Sequence, residues 1–380
     1  MIVFIAPYLP PNRLGPTHLG ASRKIELILS ILSKIDNEIV LVNSSQSSNE
    51  GGGVKTQTSR IAGVDLIEIL PPSLFSSSLI NKVYNLFFIR KTLKAVSDLG
   101  KPNLILFYNG YAFEMLFSLI SKSHFNAPHV FEFEDWHFSR ERMLNPKPYI
   151  DYFFWRLAIK SMSAAFVVNV NLKKKISNFL SNIYVLPGIV SSDLMEISKN
   201  REPFSDLPMI NVGYFGGLSK EKGADIVLEL AKKLPSNFHI HTTGSGEYEN
   251  DFLKERSNNF HYYGRVEDKF LYELISKCDV LINPHSSIED MNNGIFPFKV
   301  IESLASGRLL ISTDLPKEGL EDLLQSVVYV THSSDDFKSA IMNSKSTYAE
   351  NAEKIQNTAL LASEKFSEAT LKTIIENFLH

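Results

Sequence analysis

Short apolar runs and helically spaced apolar residues alternate along almost the whole chain. Residues 2–6 (IVFIA) are an unbroken apolar run, as expected of a strand buried on both faces. From residue 19 onward Ile25, Leu29 and Leu32 recur at helical spacing. Further strands are predicted at 38–43, 64–69, 104–107, 129–133, 165–169 and 183–186, with helices at 149–162 and 172–180. The Ser- and Gly-rich stretch SSQSSNEGGGVKTQTS reads as a surface loop. Residues 79–96 set Val83, Tyr84, Leu86, Phe87 and Phe88 beside Lys82, Arg90, Lys91 and Lys94. Such a basic amphipathic helix either lies on a membrane surface or packs on its own domain, and both readings stay open.

After the polar, proline-containing segment 200–208 the alternation resumes. A strand ends in Gly216–Gly217, and LSKEKGADIVLELAKKL follows as a loop and an amphipathic helix. The next strand, 239–243, ends in Gly244–Ser245–Gly246; 260–263 leads into Gly264, Arg265 and Val266. A helix at 271–277 and the strand DVLINPH come next, then NGIFPFKVIESLASG and the strand RLLIS. Within that last loop and helix, Gly294 permits a turn and Pro297 suits the first helical turn, where a missing N–H costs nothing. Val300, Ile301, Leu304 and Ala305 form a buried stripe with Glu302 off its centre, and Gly307 suits the C-terminal cap. Free N–H groups and the helix dipole make this N-terminus an anion site. Lys299 opposes that dipole, and a phosphate at the helix start would explain its position. The first strand is also followed by a loop with glycines, Gly15 and Gly20, but their spacing is not the dinucleotide fingerprint.

A chain of 380 residues accommodates two domains, placed at 1–200 and 205–362, each with its own core. Hydrophobic content of 44% and charged content of 21% are ordinary for a globular protein. With Cys278 the single cysteine, disulfides within the chain and a thiolate-rich metal site are excluded. The N-terminus has no basic region ahead of its apolar run and reads as a strand, and no apolar run reaches membrane-spanning length. Residues 1–200 hold 21 Lys and Arg against 15 Asp and Glu, and the remainder 18 against 27. A positive first half suits an anionic partner; without interleaved aromatic and basic residues, a nucleic acid is not expected. The EFEDWHFSRER segment follows a strand end, where ligands of open α/β sheets bind, which makes Asp135 and His137 candidates.

Residues 293–307, with the Gly216–Gly217 loop, Lys222, the Gly244 turn and the Gly264–Val266 segment in that order, resemble the retaining glycosyltransferases of the GT-B fold, the group of glycogen and sucrose synthases. The resemblance is close over about 205–315 and weak over the first half. It implies an α/β protein of two Rossmann-like domains facing each other across a cleft, with a C-terminal helix, 365–380, packing back on the first. The implied reaction is transfer, with retention, from a UDP- or GDP-sugar to a saccharide or lipid-linked acceptor in surface polysaccharide or glycoconjugate synthesis. No cofactor and no metal are implied. The implied place is the cytoplasm, at an anionic membrane face where the acceptor is a lipid. By the same resemblance Glu302 holds the ribose; Lys222, Gly20, Gly216, Gly217 and the backbone at Gly294, Ile295, Phe296, Pro297 and Phe298 meet the diphosphate; Gly244, Arg265 and Val266 lie by the base. Asp135 and His137 contact sugar or acceptor.

The chain departs from the family pattern twice. Gly294 stands where the first of two glutamates would be, with Asp290 or Asn293 as partial replacements. Gly217 stands where an arginine would be, with Lys220 as the nearest substitute, though a lysine lacks the arginine fork. Two alternatives follow: a non-catalytic GT-B partner of an active transferase, and a sugar-nucleotide epimerase.

Overall fold

A computed structural model describes residues 1–10, 19–46, 53–72, 84–138, 146–205, 208–286 and 295–379. The first sheet holds eight strands among these residues: β1 (Ile2–Ala6), β2 (Ile39–Asn43), β3 (Lys55–Ile61), β4 (Val64–Leu70), β5 (Leu104–Tyr108), β6 (His129–Phe133), β7 (Ala164–Val167) and β8 (Ile183–Val185). Their order is β3-β4-β2-β1-β5-β6-β7-β8, parallel except where β3 meets β4. β1 is central, with Ile2 level with Ile39 on one side and Leu104 on the other, so its five residues are all buried. Helices α1 (Leu19–Ser33), α2 (Ile89–Leu99), α3 (Ala112–Lys122), α4 (Lys147–Ala158), α5 (Val170–Ile176) and α6 (Ser192–Ser198) belong to this half.

The second sheet holds β9 (Ile210–Phe215), β10 (Phe238–Thr243), β11 (Phe260–Tyr262), β12 (Val280–Asn283), β13 (Leu309–Ser312) and β14 (Val328–Tyr329), all parallel, in the order β11-β10-β9-β12-β13-β14. Around it lie α7 (Ala224–Lys233), α8 (Glu249–Lys254), α9 (Asp268–Lys277), α10 (Phe298–Ala305), α11 (Glu321–Leu324) and α12 (Ser334–Met342). The long α13 (Ser344–Phe366) runs along α10, and α14 (Glu368–Glu376) then packs on α1. A backbone bridge from Val190 to Ser367 and a Lys34–Glu368 ion pair of 2.6 Å fasten that return. One apolar core runs from the first sheet through α9 and α10, while a second fills the far face of the second sheet. Among the described residues no helix is long and apolar enough to cross a membrane.

One element differs from expectation. Residues 55–59, read as the end of a surface loop, belong to the edge strand β3, antiparallel to β4. Its inward side chains are polar, so no apolar alternation announces it. They are satisfied by buried Glu68, which accepts from Gln57 Nε2 at 3.0 Å, Ser59 Oγ at 2.7 Å and Asn43 Nδ2 at 2.9 Å. Of the expected basic helix 79–96, the part from Ile89 on is seen, in α2, which runs on to Leu99; residues 73–83 and 47–52 lie outside the described residues.

Candidate active site

The loop after β9 is built on close backbone contacts. A Cβ on Gly244 would stand 1.7 Å from the Gly216 carbonyl oxygen, and Gly244 has φ +129°, so this position admits only glycine. The Leu218 N–H donates to Ser245 O at 3.0 Å, and the hydroxyl of buried Tyr214 lies 2.8 Å from Gly217 O and 3.1 Å from Lys222 O, both acceptors. Lys222 lies over the loop: a Cβ on Gly217 would meet its Nζ at 3.0 Å. The glycine in the place of the family's arginine therefore leaves room for the lysine.

A second cation reaches the same loop. Lys299, in the first turn of α10, would lie 3.7 Å (Cδ) and 3.9 Å (Nζ) from a Cβ on Gly216. Its Nζ stands 4.5 Å from the centre of the Tyr214 ring and is buried without a hydrogen-bond partner among the described residues. Burial, and then the neighbouring Lys222, pull its pKa down to about 7. His285, just beyond β12, is pushed down to about 4 by burial and then by Lys299 and Lys222. Lys220, the expected substitute for the arginine, is exposed; the second cation at the loop is Lys299. Two lysines converging on paired glycines beside the first turn of α10 form an arrangement that can receive a polyanion, which would favour the charged form of both.

Across from it, β6 delivers Glu132, Glu134 and Asp135. Lys24 of α1 is wholly buried with Nζ 2.6 Å from Glu132 and 3.8 Å from Glu134. Asn109, at φ +62°, accepts through Oδ1 from the N–H groups of Glu134 (3.3 Å) and Asp135 (3.4 Å). Burial, and then Glu134, raise Asp135 to about 7, against the opposing pull of Lys24 and of Lys222 from the other domain. Asp135 thus lies within electrostatic reach of Lys222. His137 does not join Lys222: Nδ1–H donates to Asp135 O at 3.1 Å, and the ring packs 4.6 Å from Tyr111 and 4.2 Å from Phe138. Burial lowers its pKa to about 4, so it is neutral and braces the loop that carries Asp135.

Glu302 is 3% exposed and faces the first domain. Both its oxygens are taken by Arg23 of α1, Nη2 to Oε1 at 2.7 Å and Nη1 to Oε2 at 2.9 Å. Burial raises the Glu302 pKa and Arg23 opposes this. Around them the domains meet tightly: Ile301 leaves no room for a Cβ on Gly188 (2.9 Å), and Asn169 Nδ2 donates to Ile295 O at 3.4 Å. Pro297 caps α10 in an extended conformation ahead of Phe298, and Phe296 is buried. Arg265 is tied by Nε to Ser245 Oγ at 2.8 Å, so the Gly244 turn and the half-buried Val266 belong to one wall. Gly20 is the second residue of α1, with open space where a Cβ would be. Gly294, Asp290 and Asn293 lie outside the described residues. Neither the Arg23–Glu302 pairing, 279 residues apart in sequence, nor the approach of Lys299 to Gly216 could be placed without the fold. The sequence signal for Lys299 was its charge against the helix dipole.

Two Rossmann-like sheets joined by a C-terminal return, with a cationic glycine loop and a buried carboxylate on the second, define the GT-B class. Residues 210–344 match the family model "Glycosyl transferases group 1". The match is confined to the second half of the chain, and the architecture of the whole chain is the GT-B fold. No curated protein matches it by sequence. Among solved structures it is similar to sucrose-phosphate synthase from Thermosynechococcus elongatus, at 10% identity and TM-score 0.66, covering 99% of this chain and 97% of that one. Anabaena HepE in complex with UDP and glucose gives 15% identity and TM-score 0.65, covering 100% and 98%. A UDP-forming α,α-trehalose-phosphate synthase from Burkholderia xenovorans, in complex with glucose-6-phosphate, gives 10% identity and TM-score 0.68, covering 100% and 99%.

Proposed function

We propose that this chain moves a sugar, with retention and without a metal, from a nucleotide-sugar to a saccharide or lipid-linked acceptor in cytoplasmic glycoconjugate or surface-polysaccharide synthesis. The observation that carries the reading is the convergence of Lys222 and Lys299 on Gly216 and Gly217 at the start of α10. When the bond from the anomeric carbon to the diphosphate breaks and one to the acceptor oxygen forms, negative charge gathers on the diphosphate. The two lysines, charged by that anion, and the N-terminal end of α10 would hold it. Asp135, within electrostatic reach of Lys222, hydrogen-bonds a sugar or acceptor hydroxyl. Lys299 offsets the missing loop arginine, which weakens the case for a non-catalytic partner. UDP is the favoured nucleotide, because HepE is seen with UDP and the trehalose-phosphate synthases are UDP-forming.

The lipid-linked class of acceptor is favoured by α4. Tyr149, Ile150, Phe153 (59% exposed) and Leu157 (50% exposed) form an outward apolar stripe that ends beside exposed Arg156 and Lys160. α2, joined to α4 through α3, presents Arg90, Lys91 and Lys94 outward. Apolar side chains ringed by cations suit an anionic bilayer. The test is release of nucleotide and formation of product from UDP- and GDP-sugars with lipid-linked and free saccharide acceptors. Transfer that Asp135→Asn slows about a hundredfold, with nucleotide affinity little changed, supports the reading. Nucleotide binding with no transfer to any acceptor points to the non-catalytic partner.

A further inference from the structure

Glu302 is sealed. Both its oxygens already accept from Arg23, a residue of the other domain. The same guanidinium spans two helices of the second domain: Nε donates to Asp268 at 2.8 Å, and Nη2 reaches the Tyr272 hydroxyl at 3.2 Å, both on α9. It lies 5.7 Å from the Tyr272 ring centre and 5.8 Å from that of Phe298, at the start of α10. A diol arriving at Glu302 meets a carboxylate that is 3% exposed and doubly engaged.

We infer that Arg23 is an interdomain latch on Glu302, which the ribose of the donor nucleotide must displace. The inference rests on the donor-site reading above. Displacement does not strand the charge. Asp268 is 42% exposed and keeps its bond to Nε, and Glu26, one turn along α1, adds negative charge beside both. Arg23 therefore has a resting place outside the site while Glu302 takes the two hydroxyls. Releasing Arg23 also removes a side chain that bridges α1 to α9 and α10 together, so filling the ribose site loosens the domain contact. Arg23 is a positioning residue: it touches no part of the donor and acts through Glu302.

The test is calorimetric titration of UDP into the full chain and its Arg23→Met, Arg23→Lys and Glu302→Ala variants, each checked for native melting. A latch predicts tighter binding in Arg23→Met, by about tenfold, and in Arg23→Lys, which lacks the two-pronged grip on Glu302, by about threefold, with binding lost in Glu302→Ala. A supporting arginine would give the opposite sign, so weaker or unchanged binding in a folded Arg23→Met overturns the latch. Should Arg23→Met not fold, Arg23→Lys decides by the same sign. Binding by the wild type without tightening in the variants removes the latch alone. Absence of UDP binding in every form, Arg23→Met included, removes the donor-site reading and the latch with it.

Discussion

An ammonium buried beside another ammonium, with an aromatic face for its nearest neighbour, is driven toward its neutral form. Lys299 is so placed, over Tyr214 and near Lys222, at about 7 instead of the ordinary 10.5. Between those two values the unfolded chain holds a proton that the folded one has lost. Stability of the nucleotide-free protein from this group therefore rises with pH across that window and is lowest below about 7. A diphosphate reverses the balance by favouring the charged lysine. Binding of UDP at pH 8 should take up about one proton, seen as a dependence of the binding heat on buffer ionisation enthalpy, and affinity should fall from pH 7 to 9. Lys299→Met should abolish the proton uptake. Uptake that persists in the variant would place the titrating group elsewhere.

Elements carry these residues into place, and they differ in how openly the sequence announces them. The loop, helix and strand around α10 were legible, because Pro297, the buried stripe from Val300 to Ala305 and Gly307 all agree on one helix; Gly307 takes φ +69° just beyond it. β3 was not legible, since its inward residues are polar and make sense only beside Glu68 on β4. Of the site, Lys222, the glycine turns and Glu302 could be picked out; His137 was picked out too, but its ring packs among aromatics. The partners of Glu302 and Lys299 come from other segments of the chain, and local pattern holds no record of them. The β9 and β10 loops share backbone contact at Gly244, so Gly244→Ala forces them apart. The strained φ alone should cost on the order of 1–3 kcal/mol in chemical denaturation, and UDP binding should be lost with it. On α4, Phe153→Glu with Leu157→Glu should abolish sedimentation with anionic vesicles while leaving the melting temperature near that of the wild type. Retained vesicle binding would exclude this stripe as the membrane contact.

At the scale of the whole molecule, the two sheets are held together where α13 and α14 return the chain to α1, where one apolar core runs from the first sheet through α9 and α10, and where Arg23 joins α1 to α9 and α10. The acidic wall with Asp135 comes from one domain and the two lysines from the other, so neither half holds the proposed site alone. Charge follows the same division, with the basic excess in the half that carries the α4 stripe and an acidic excess in the half that carries the lysine pair. The cations at the glycine loop are thus a local arrangement, and their effect on a bound anion is separable from the net charge of their domain. The most direct measurement is calorimetric titration of UDP, GDP and ADP into the wild type and into Lys222→Ala and Lys299→Met. Saturable binding of one nucleotide is expected, UDP before the others, weakened about 10- to 100-fold by each substitution, the loss of one charge-assisted hydrogen bond. A well-folded protein that binds none of the three, or binds one equally well without either lysine, would contradict the account.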